Sequence, residues 1–215
     1  DYVDIKISCL PNLHGDDALI EKRLAAVERG LEAGLIDFVG GSPHMVKRRP
    51  DIREKLFDIA VRYDKPLDLH IDERDEADIS TFLQTIELTL KHGYEGRVTC
   101  GHVTALAAVS DEEAAEAIAG AKQANLHIIT LPSCNLYLMG RTDRQLIRRG
   151  VTRIREFLDA GVNIAYASDN ILDPFRPIGN GDMLEEGLLC AQVAQMVTRS
   201  ELAQIYAMGT INAAK

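Results

Sequence analysis

The sequence of 215 residues contains no tryptophan, and aromatic residues make up only 5% of it. The interior must therefore be built from Leu, Ile, Val and Ala side chains. Long hydrophobic runs are missing as well: none approaches the roughly 20 residues that a helix needs to span a bilayer. The first residues show no signal-peptide pattern. We therefore expect a protein without a membrane partner.

Cysteine is scarce, and its spacing indicates no pairing. The four cysteines form no CxxC motif and lie mostly within apolar runs, at Cys9, Cys100, Cys134 and Cys190. This pattern is typical of buried free thiols in a reducing compartment, rather than of a disulfide framework or a cysteine-based zinc site. We therefore expect a cytoplasmic protein.

Basic residues are fewer than acidic ones: the chain has 24 Lys and Arg residues and 33 Asp and Glu residues, which gives a net charge of −9. Such a chain is a poor match for a phosphate backbone, so we expect no nucleic-acid polymer as a partner. A single nucleobase is not excluded as a ligand. The length suits one domain with a sizeable core, and we expect residues 1–215 to form it.

What the sequence does contain is a repeated strand–helix unit. Alternating or continuous apolar runs predict strands, and apolar residues at steps of three and four predict helices. The predicted strands lie at 3–9, 35–39, 67–71, 97–100, 126–130 and 162–167. The first predicted helix begins at residue 16, and others lie at about 51–63, 76–92, 111–124 and 151–160. A final helix or pair of helices is predicted over about 183–213.

Strict alternation at this period predicts an α/β fold with a parallel sheet and helical crossovers. Both an open doubly wound sheet and part of a (β/α)8 TIM-type barrel fit it. No GxGxxG or Walker loop follows any strand, which weakens the nucleotide-binding alternative. Candidate site residues follow several strands, as a barrel requires. We therefore predict an incomplete barrel, since only six of eight strands are found.

The apolar run from Leu67 to Ile71 brings His70, and then Glu73, to the end of one strand. A neutral imidazole binds divalent metals, and a nearby carboxyl group can carry a proton to a leaving group. The alternatives are a core histidine bonded to a backbone carbonyl and a carboxylate at a helix start. Three ionisable groups at a strand end, with Asp72 between them, favour the functional interpretation.

Two further strand ends carry similar groups. His102 ends the next predicted strand and could be a metal ligand or a hydrogen-bond donor. Asp169 follows a later strand and could be a ligand or a general base, or else the N-cap of a helix starting near Ile171. The amides of Asn12 and Asn135 suit recognition of a polar ring edge, but either could form an Asx-turn. His14 and His44 lie in loops after strands and are weaker candidates.

Several stretches, taken in order, resemble the amidohydrolase superfamily and in particular its cytosine deaminase-like branch. The stretches that carry the resemblance are residues 68–73 (DLHIDE), 101–106 (GHVTAL), 135–141 (NLYLMGR), 149–154 (RGVTRI), 168–175 (SDNILDPF), 177–179 (PIG), 182–184 (DML) and 210–214 (TINAA). Together they extend through essentially the whole chain.

The resemblance implies a (β/α)8 barrel holding one Fe²⁺ or Zn²⁺ ion that activates water for hydrolytic deamination of a cyclic amidine such as cytosine. It implies that His70 is a metal ligand and that Glu73 shuttles a proton to the ring nitrogen and the leaving amine. His102 would orient the hydroxide. Asp169 would be both a metal ligand and the base that deprotonates the water.

Three positions depart from the family pattern and leave the substrate open. Asn12 stands where the family has a glutamine that contacts the base, Phe175 where it has a tryptophan, and Asn170 where it has a second aspartate. With Asn135, these residues are the predicted substrate contacts. An amino-triazine, a pterin or a creatinine-like ring, including one that releases an amine, remains an alternative to cytosine.

The family also places a His-x-His pair at the end of its first strand, and no His-x-His occurs in these 215 residues. Aligned with the family, residues 3–9 correspond to the third strand, so strands 1 and 2 and the β-sandwich are expected to be absent. A catalytically inactive fragment or binding module is therefore the rival hypothesis. An open barrel edge favours association, and we expect a homo-oligomer.

Overall fold

The computed structural model describes residues 4–46 and 48–215, so that Val3, in the first predicted strand, lies outside the described range. Six parallel strands form one sheet in the order of the chain. They are β1 (Ser8–Cys9), β2 (Phe38–Gly41), β3 (Leu67–Ile71), β4 (Val98–His102), β5 (His127–Thr130) and β6 (Asn163–Tyr166).

Helices connect the strands and follow the last one. They are α1 (Asp17–Glu32), α2 (Asp51–Arg62), α3 (Ser80–His92), α4 (Asp111–Gln123), α5 (Pro132–Leu138), α6 (Ile154–Asp159), α7 (Met183–Val193) and α8 (Arg199–Met208). Short 3-10 turns lie at Pro43–Met45 and Thr104–Ala107. None of the described helices is both long enough and apolar enough to cross a bilayer.

The sheet topology confirms the predicted α/β fold with alternating strands and helices. A doubly wound sheet reverses its strand order at a switch point, whereas consecutive strands of a (β/α)8 barrel neighbour each other in chain order. The observed order β1-β2-β3-β4-β5-β6 is of the second kind. Within residues 4–46 and 48–215, no strand pairing joins β6 back to β1.

Helix α1 shows how local sequence produces these elements. The side chains of Ile20, Leu24, Val27 and Leu31 recur at steps of three and four and are all buried. Oδ1 of the N-cap residue Asp16 accepts a hydrogen bond from the backbone N–H of Leu19 at 2.8 Å, which satisfies one of the free donors at the helix start. The predicted amphipathic helix is therefore confirmed.

Strand β3 divides its side chains between two faces. Leu67, Leu69 and Ile71 are buried, and the residues between them are half-buried. Because successive side chains of a strand point to opposite sides, His70 lies on the face opposite these three. The buried apolar side chains of sheet and helices form one continuous core.

The first two strands differ from their predicted bounds. The strand predicted at 3–9 is observed only at Ser8–Cys9, and Ile5 is 80% exposed because it lies outside the paired region. The strand predicted at 35–39 is instead Phe38–Gly41. A Cβ atom on Gly40 would lie 2.5 Å from the backbone oxygen of Cys9, so glycine at this position permits the close pairing of β1 and β2.

Helix α5 lies between the strand predicted at 126–130 and the helix predicted at about 151–160, where the sequence predicts neither a helix nor a strand. It begins at Pro132, where the missing N–H of proline costs no helical hydrogen bond. Seven residues are too few to show a clear helical period. This helix carries Asn135 and therefore matters for the site.

Candidate active site

The ends of three strands share an unusual backbone conformation. Residues with φ between 44° and 68° occur after β3 at Asp72, at the end of β4 at His102 and Val103, and after β6 at Asp169. Positive φ is uncommon outside glycine, and for a β-branched residue such as Val103 it is a strained exception. Such strain is typical of functional sites, and here it occurs at or next to the predicted site residues Glu73, His102 and Asp169.

These strand ends bring four predicted residues together. Nε2 of His102 lies 3.0 Å from Nδ1 of His70, 3.5 Å from Oε2 of Glu73 and 3.8 Å from Oδ2 of Asp169. One potential ligand atom from each of His70, Glu73 and His102 lies within 4.8 Å of the other two. We call His70, Glu73, His102 and Asp169 the central cluster.

The structural alternatives for three of these residues find no support. Helix α3 begins at Ser80, so Glu73 is not a helix-start carboxylate. No helix begins near Ile171 in the described part of the chain, so Asp169 caps none. The His70 ring contacts the ring of His102, and among the described hydrogen bonds none joins the His70 ring to a backbone carbonyl.

Burial and mutual repulsion shape the protonation of the cluster. Burial raises the pKa of Glu73 to about 7, and the negative charge of Asp169 adds to this effect. Burial also holds the pKa of His102 well below its usual value, and the neighbouring His70 lowers it further. His102 is therefore neutral at physiological pH, and Glu73 can carry a proton near neutrality.

The cluster fits a divalent cation. Two carboxylates lie beside the neutral imidazole of His102, and the charge of Asp169 raises the pKa of Glu73 further after burial. Among the described residues, neither Glu73 nor Asp169 forms an ion pair with a lysine or arginine. Imidazole nitrogen and carboxylate oxygen are the donors that zinc and non-haem iron accept. A bound cation would offset both causes of the raised pKa of Glu73, which are its burial and the negative charge of Asp169.

His44, a weaker candidate from sequence, contacts the backbone of His70. Its Nδ1 atom lies 2.9 Å from the backbone oxygen of His70, and burial lowers the pKa of His44 to about 4. The neutral ring therefore donates from Nδ1 to that carbonyl. Arg74 donates to the backbone oxygen of His44 at 2.8 Å, which fixes this residue in turn.

Asn135 contacts His102 in the structure. It is buried, and its Nδ2 atom lies 3.0 Å from Nδ1 of His102. If the amide donates to Nδ1, the ring proton of His102 resides on Nε2, the nitrogen that faces His70. The predicted role of Asn135 in recognising a substrate ring is not tested by this contact, but its amide is already engaged.

Asn12 is exposed, and its Oδ1 atom accepts a hydrogen bond from the backbone N–H of His14 at 2.9 Å. This is the Asx-turn that the sequence left open as an alternative. Among the described hydrogen bonds, none links Asn12 to the central cluster. Its role in substrate binding stays a prediction.

The segment after β6 holds the two other predicted substrate contacts. Asn170 donates from Nδ2 to Oδ2 of Asp173 at 2.6 Å and accepts from the Cys134 thiol at 3.3 Å. Phe175 is 62% exposed, and its role in substrate binding stays a prediction. The contact of Cys134 was missed from sequence, because its apolar surroundings indicated a buried thiol without a role.

Comparison with known proteins places these features in a family. The Amidohydrolase family model matches residues 15–215. The pterin deaminase of Rhizobium rhizogenes is 37% identical over 177 residues, which cover 79% of this chain and 38% of that enzyme. The N-isopropylammelide isopropyl amidohydrolase of Pseudomonas sp. strain ADP is 29% identical over 192 residues, which cover 88% of this chain and 44% of that enzyme.

A solved structure shares the fold of this chain. The 5-methylcytosine deaminase of Klebsiella pneumoniae, liganded with phosphonocytosine, superposes with a TM-score of 0.91 at 29% identity, over 99% of this chain and 52% of that one. The chain thus spans about half the length of this relative and less than half of the two others. The resemblance inferred from the motifs is confirmed: this chain belongs to the amidohydrolase family.

Proposed function

We propose that this chain carries a metal-dependent hydrolytic centre that deaminates a cyclic amidine or nucleobase such as cytosine, releasing ammonia. The observation that carries the proposal is the convergence of four residues with suitable chemistry at one edge of a parallel sheet. The proposal includes a single partial barrel domain over residues 1–215, a cytoplasmic location, a homo-oligomer and a small N-heterocycle as partner.

In this proposal His70 and Asp169 hold one divalent ion, zinc or iron. A bound ion supplies Lewis acidity and lowers the pKa of water to near 7. Asp169 takes the proton from the attacking water. His102, neutral and protonated on Nε2, donates from this nitrogen toward Nδ1 of His70, 3.0 Å away.

Glu73 moves the proton within the site. A carboxyl group whose pKa is about 7 exists in both protonation states at neutral pH, which suits transfer to a ring nitrogen and then to the leaving amine. Asn12, Asn135, Asn170 and Phe175 are proposed to contact the substrate. For Phe175 this contact is at the exposed rim.

The relatives support an N-heterocycle but differ in product. The names of two relatives indicate deamination of a pterin and of 5-methylcytosine, and the third is an isopropyl amidohydrolase. Release of an amine from an amino-triazine is therefore the second candidate function. A creatinine-like ring remains a further alternative.

The test uses the purified 215-residue chain with Zn²⁺ or Fe²⁺ and a panel of cytosine, 5-methylcytosine, pterin and alkylamino-triazine. Ammonia and amine are measured separately, and metal is measured by elemental analysis. We expect Glu73→Gln to lose turnover and keep its metal, while Glu87→Gln, at an exposed position of α3, retains both. Full activity of Glu73→Gln would contradict the proposed mechanism.

Because no His-x-His is present in these residues, the wild-type chain itself is informative. Stoichiometric metal with turnover would reject the inactive-fragment hypothesis. No metal and no turnover with any substrate would support that hypothesis against the proposed function.

A further inference from the structure

We propose that the buried ion pair between Arg176 and Glu186 is a positioning element, which holds Asp169 and His102 in register with each other. The inference rests on the proposed site, but not on its substrate. Neither residue carries a motif that the sequence analysis singled out, and neither belongs to the central cluster.

The pair is almost fully withdrawn from solvent. Arg176 is 4% exposed and Glu186 is 1% exposed, and Nη1 of the arginine lies 3.1 Å from Oε1 of the glutamate. Glu186 lies on α7, and Arg176 lies in the segment between β6 and α7. The pair therefore joins a helix to the loop that carries Asp169.

Arg176 contacts the segment that carries Asp169. Its Nη1 atom also donates to the backbone oxygen of Ser168 at 2.9 Å. Ser168 directly precedes Asp169, whose backbone has a φ of 61°. Because a non-glycine residue in this region needs support from its surroundings, the anchored carbonyl fixes the turn that presents the Asp169 carboxylate.

Glu186 contacts helix α5, which carries Asn135. Its Oε1 atom accepts a hydrogen bond from the hydroxyl of Ser133, and its Oε2 atom accepts from the backbone N–H of the same residue at 3.4 Å. Ser133 lies in the first turn of α5, two residues before Asn135. Asn135 in turn holds the His102 ring. One ion pair thus ties both sides of the cluster together.

Energetics favour a positioning role over simple stabilisation. Withdrawing two charges from water carries a large desolvation cost, and replacing a buried pair by apolar residues of similar volume is often neutral or stabilising. Removing one partner is harmful, because the other charge is left buried. A double apolar replacement therefore separates the two roles, since it keeps the packing and removes the directional hydrogen bonds.

The decisive variant is Arg176→Met/Glu186→Met, compared with Arg62→Met/Glu28→Met, which removes a partly exposed pair between α1 and α2. Three quantities are measured on the full chain: the thermal unfolding midpoint, the Zn²⁺ dissociation constant by calorimetry, and the His102 ring nitrogens by long-range ¹H–¹⁵N NMR. The NMR readout needs neither metal nor turnover, so it remains informative if the proposed function fails.

We expect the first double variant to keep an unfolding midpoint close to that of the wild type. Its Zn²⁺ affinity should fall about tenfold, as for partners of metal ligands elsewhere. The Nε2–H signature of His102 should give way to an average of the two tautomers. The control should change neither site readout.

An unchanged His102 spectrum with unchanged Zn²⁺ affinity would overturn the proposal, as would a large loss of stability with the site readouts intact. If the double variant does not fold, Ser133→Ala decides. It removes one hydrogen bond to Glu186 with little effect on packing. A shifted His102 spectrum in Ser133→Ala supports the proposal, and an unshifted one rejects it.

Discussion

Nε2 of His102 lies 3.0 Å from Nδ1 of His70, although 32 positions separate the two residues in sequence. The two histidines lie on neighbouring strands, where Ile71 pairs with His102 in the β3–β4 register. At this separation two positive rings would repel each other strongly, so the nearness of His70 adds to burial, the larger cause, in lowering the pKa of His102. His102 is therefore neutral, the form in which an imidazole binds a metal or donates a single hydrogen bond.

Replacing Asn135 tests how this arrangement is held. Asn135→Leu removes the amide next to Nδ1 of His102, and we expect turnover or metal affinity to fall by about 10- to 100-fold. Asn135→Asp places an acceptor where the amide donates, so the ring proton should move to Nδ1. NMR of the ring nitrogens measures the tautomer directly. Wild-type tautomers in both variants would contradict the assigned hydrogen bond.

The buried Phe157 and the exposed Phe175 are expected to contribute differently, one to stability and the other to substrate binding. Phe157 is fully buried and packs edge-on against Phe82 with ring centres 6.3 Å apart. We expect Phe157→Ala to lower the free energy of unfolding by about 3–5 kcal/mol, measured by urea denaturation. Phe175→Ala should change it by less than about 0.5 kcal/mol but raise KM. An unchanged KM would remove Phe175 from the proposed substrate contacts.

His44 predicts a loss of stability in mild acid. Its pKa is lowered from 6.5 to about 4 by burial, so the unfolded chain binds a proton at a higher pH than the folded chain. As the pH is lowered from 6.5 to 4, the free energy of unfolding should therefore fall. This group contributes at most about 3 kcal/mol to that loss.

The variant His44→Gln should flatten this part of the stability profile, because glutamine can still donate to the His70 carbonyl without taking up a proton. His14→Gln, at an exposed position, serves as the control and should keep the wild-type slope. Equal slopes in the wild type and in His44→Gln would show that His44 does not carry the effect.

Metal binding should be visible as stabilisation. A ligand that binds only the folded state adds about 2.7 kcal/mol at a concentration one hundred times its dissociation constant, so Zn²⁺ should raise the unfolding temperature and a chelator should reverse the rise. His70→Ala should abolish the shift. His127→Ala, at the start of β5 and bonded to the backbone oxygen of Gly96, should retain it. A shift that survives His70→Ala would place the metal elsewhere.

The sequence predicted those elements whose signal is local. Strand β3 was predicted at its observed bounds, since alternating burial is written directly in Leu67–Ile71. Helix α1 followed from its apolar spacing and from Asp16 at its start. Strand β1 was overestimated because its pairing depends on a neighbouring strand, and α5 was missed because it is too short to show a period.

The site was predictable to the extent that its residues end strands. His70, Glu73, His102 and Asp169 were identified in this way and lie together. The links from Asn135 to His102 and from Arg176 to Glu186 were not identified. They join residues that are distant in sequence, and no local pattern records such a contact. The positive φ angles at the strand ends could not be predicted either, because a β-branched residue such as Val103 has no intrinsic preference for positive φ.

The order of the strands also bears on how the molecule is made. In the part of the chain that the structure describes, each strand pairs only with the strands that precede and follow it. The six described strands can therefore pair one after another as the polypeptide leaves the ribosome, because each pairs with the strand of the neighbouring unit in the chain. The segment carrying His70 emerges first, that carrying His102 next, and that carrying Asp169 last. Until α7 has emerged and Glu186 has paired with Arg176, nascent chains should contain all four residues of the central cluster but lack the proposed fixed arrangement of Asp169 and His102.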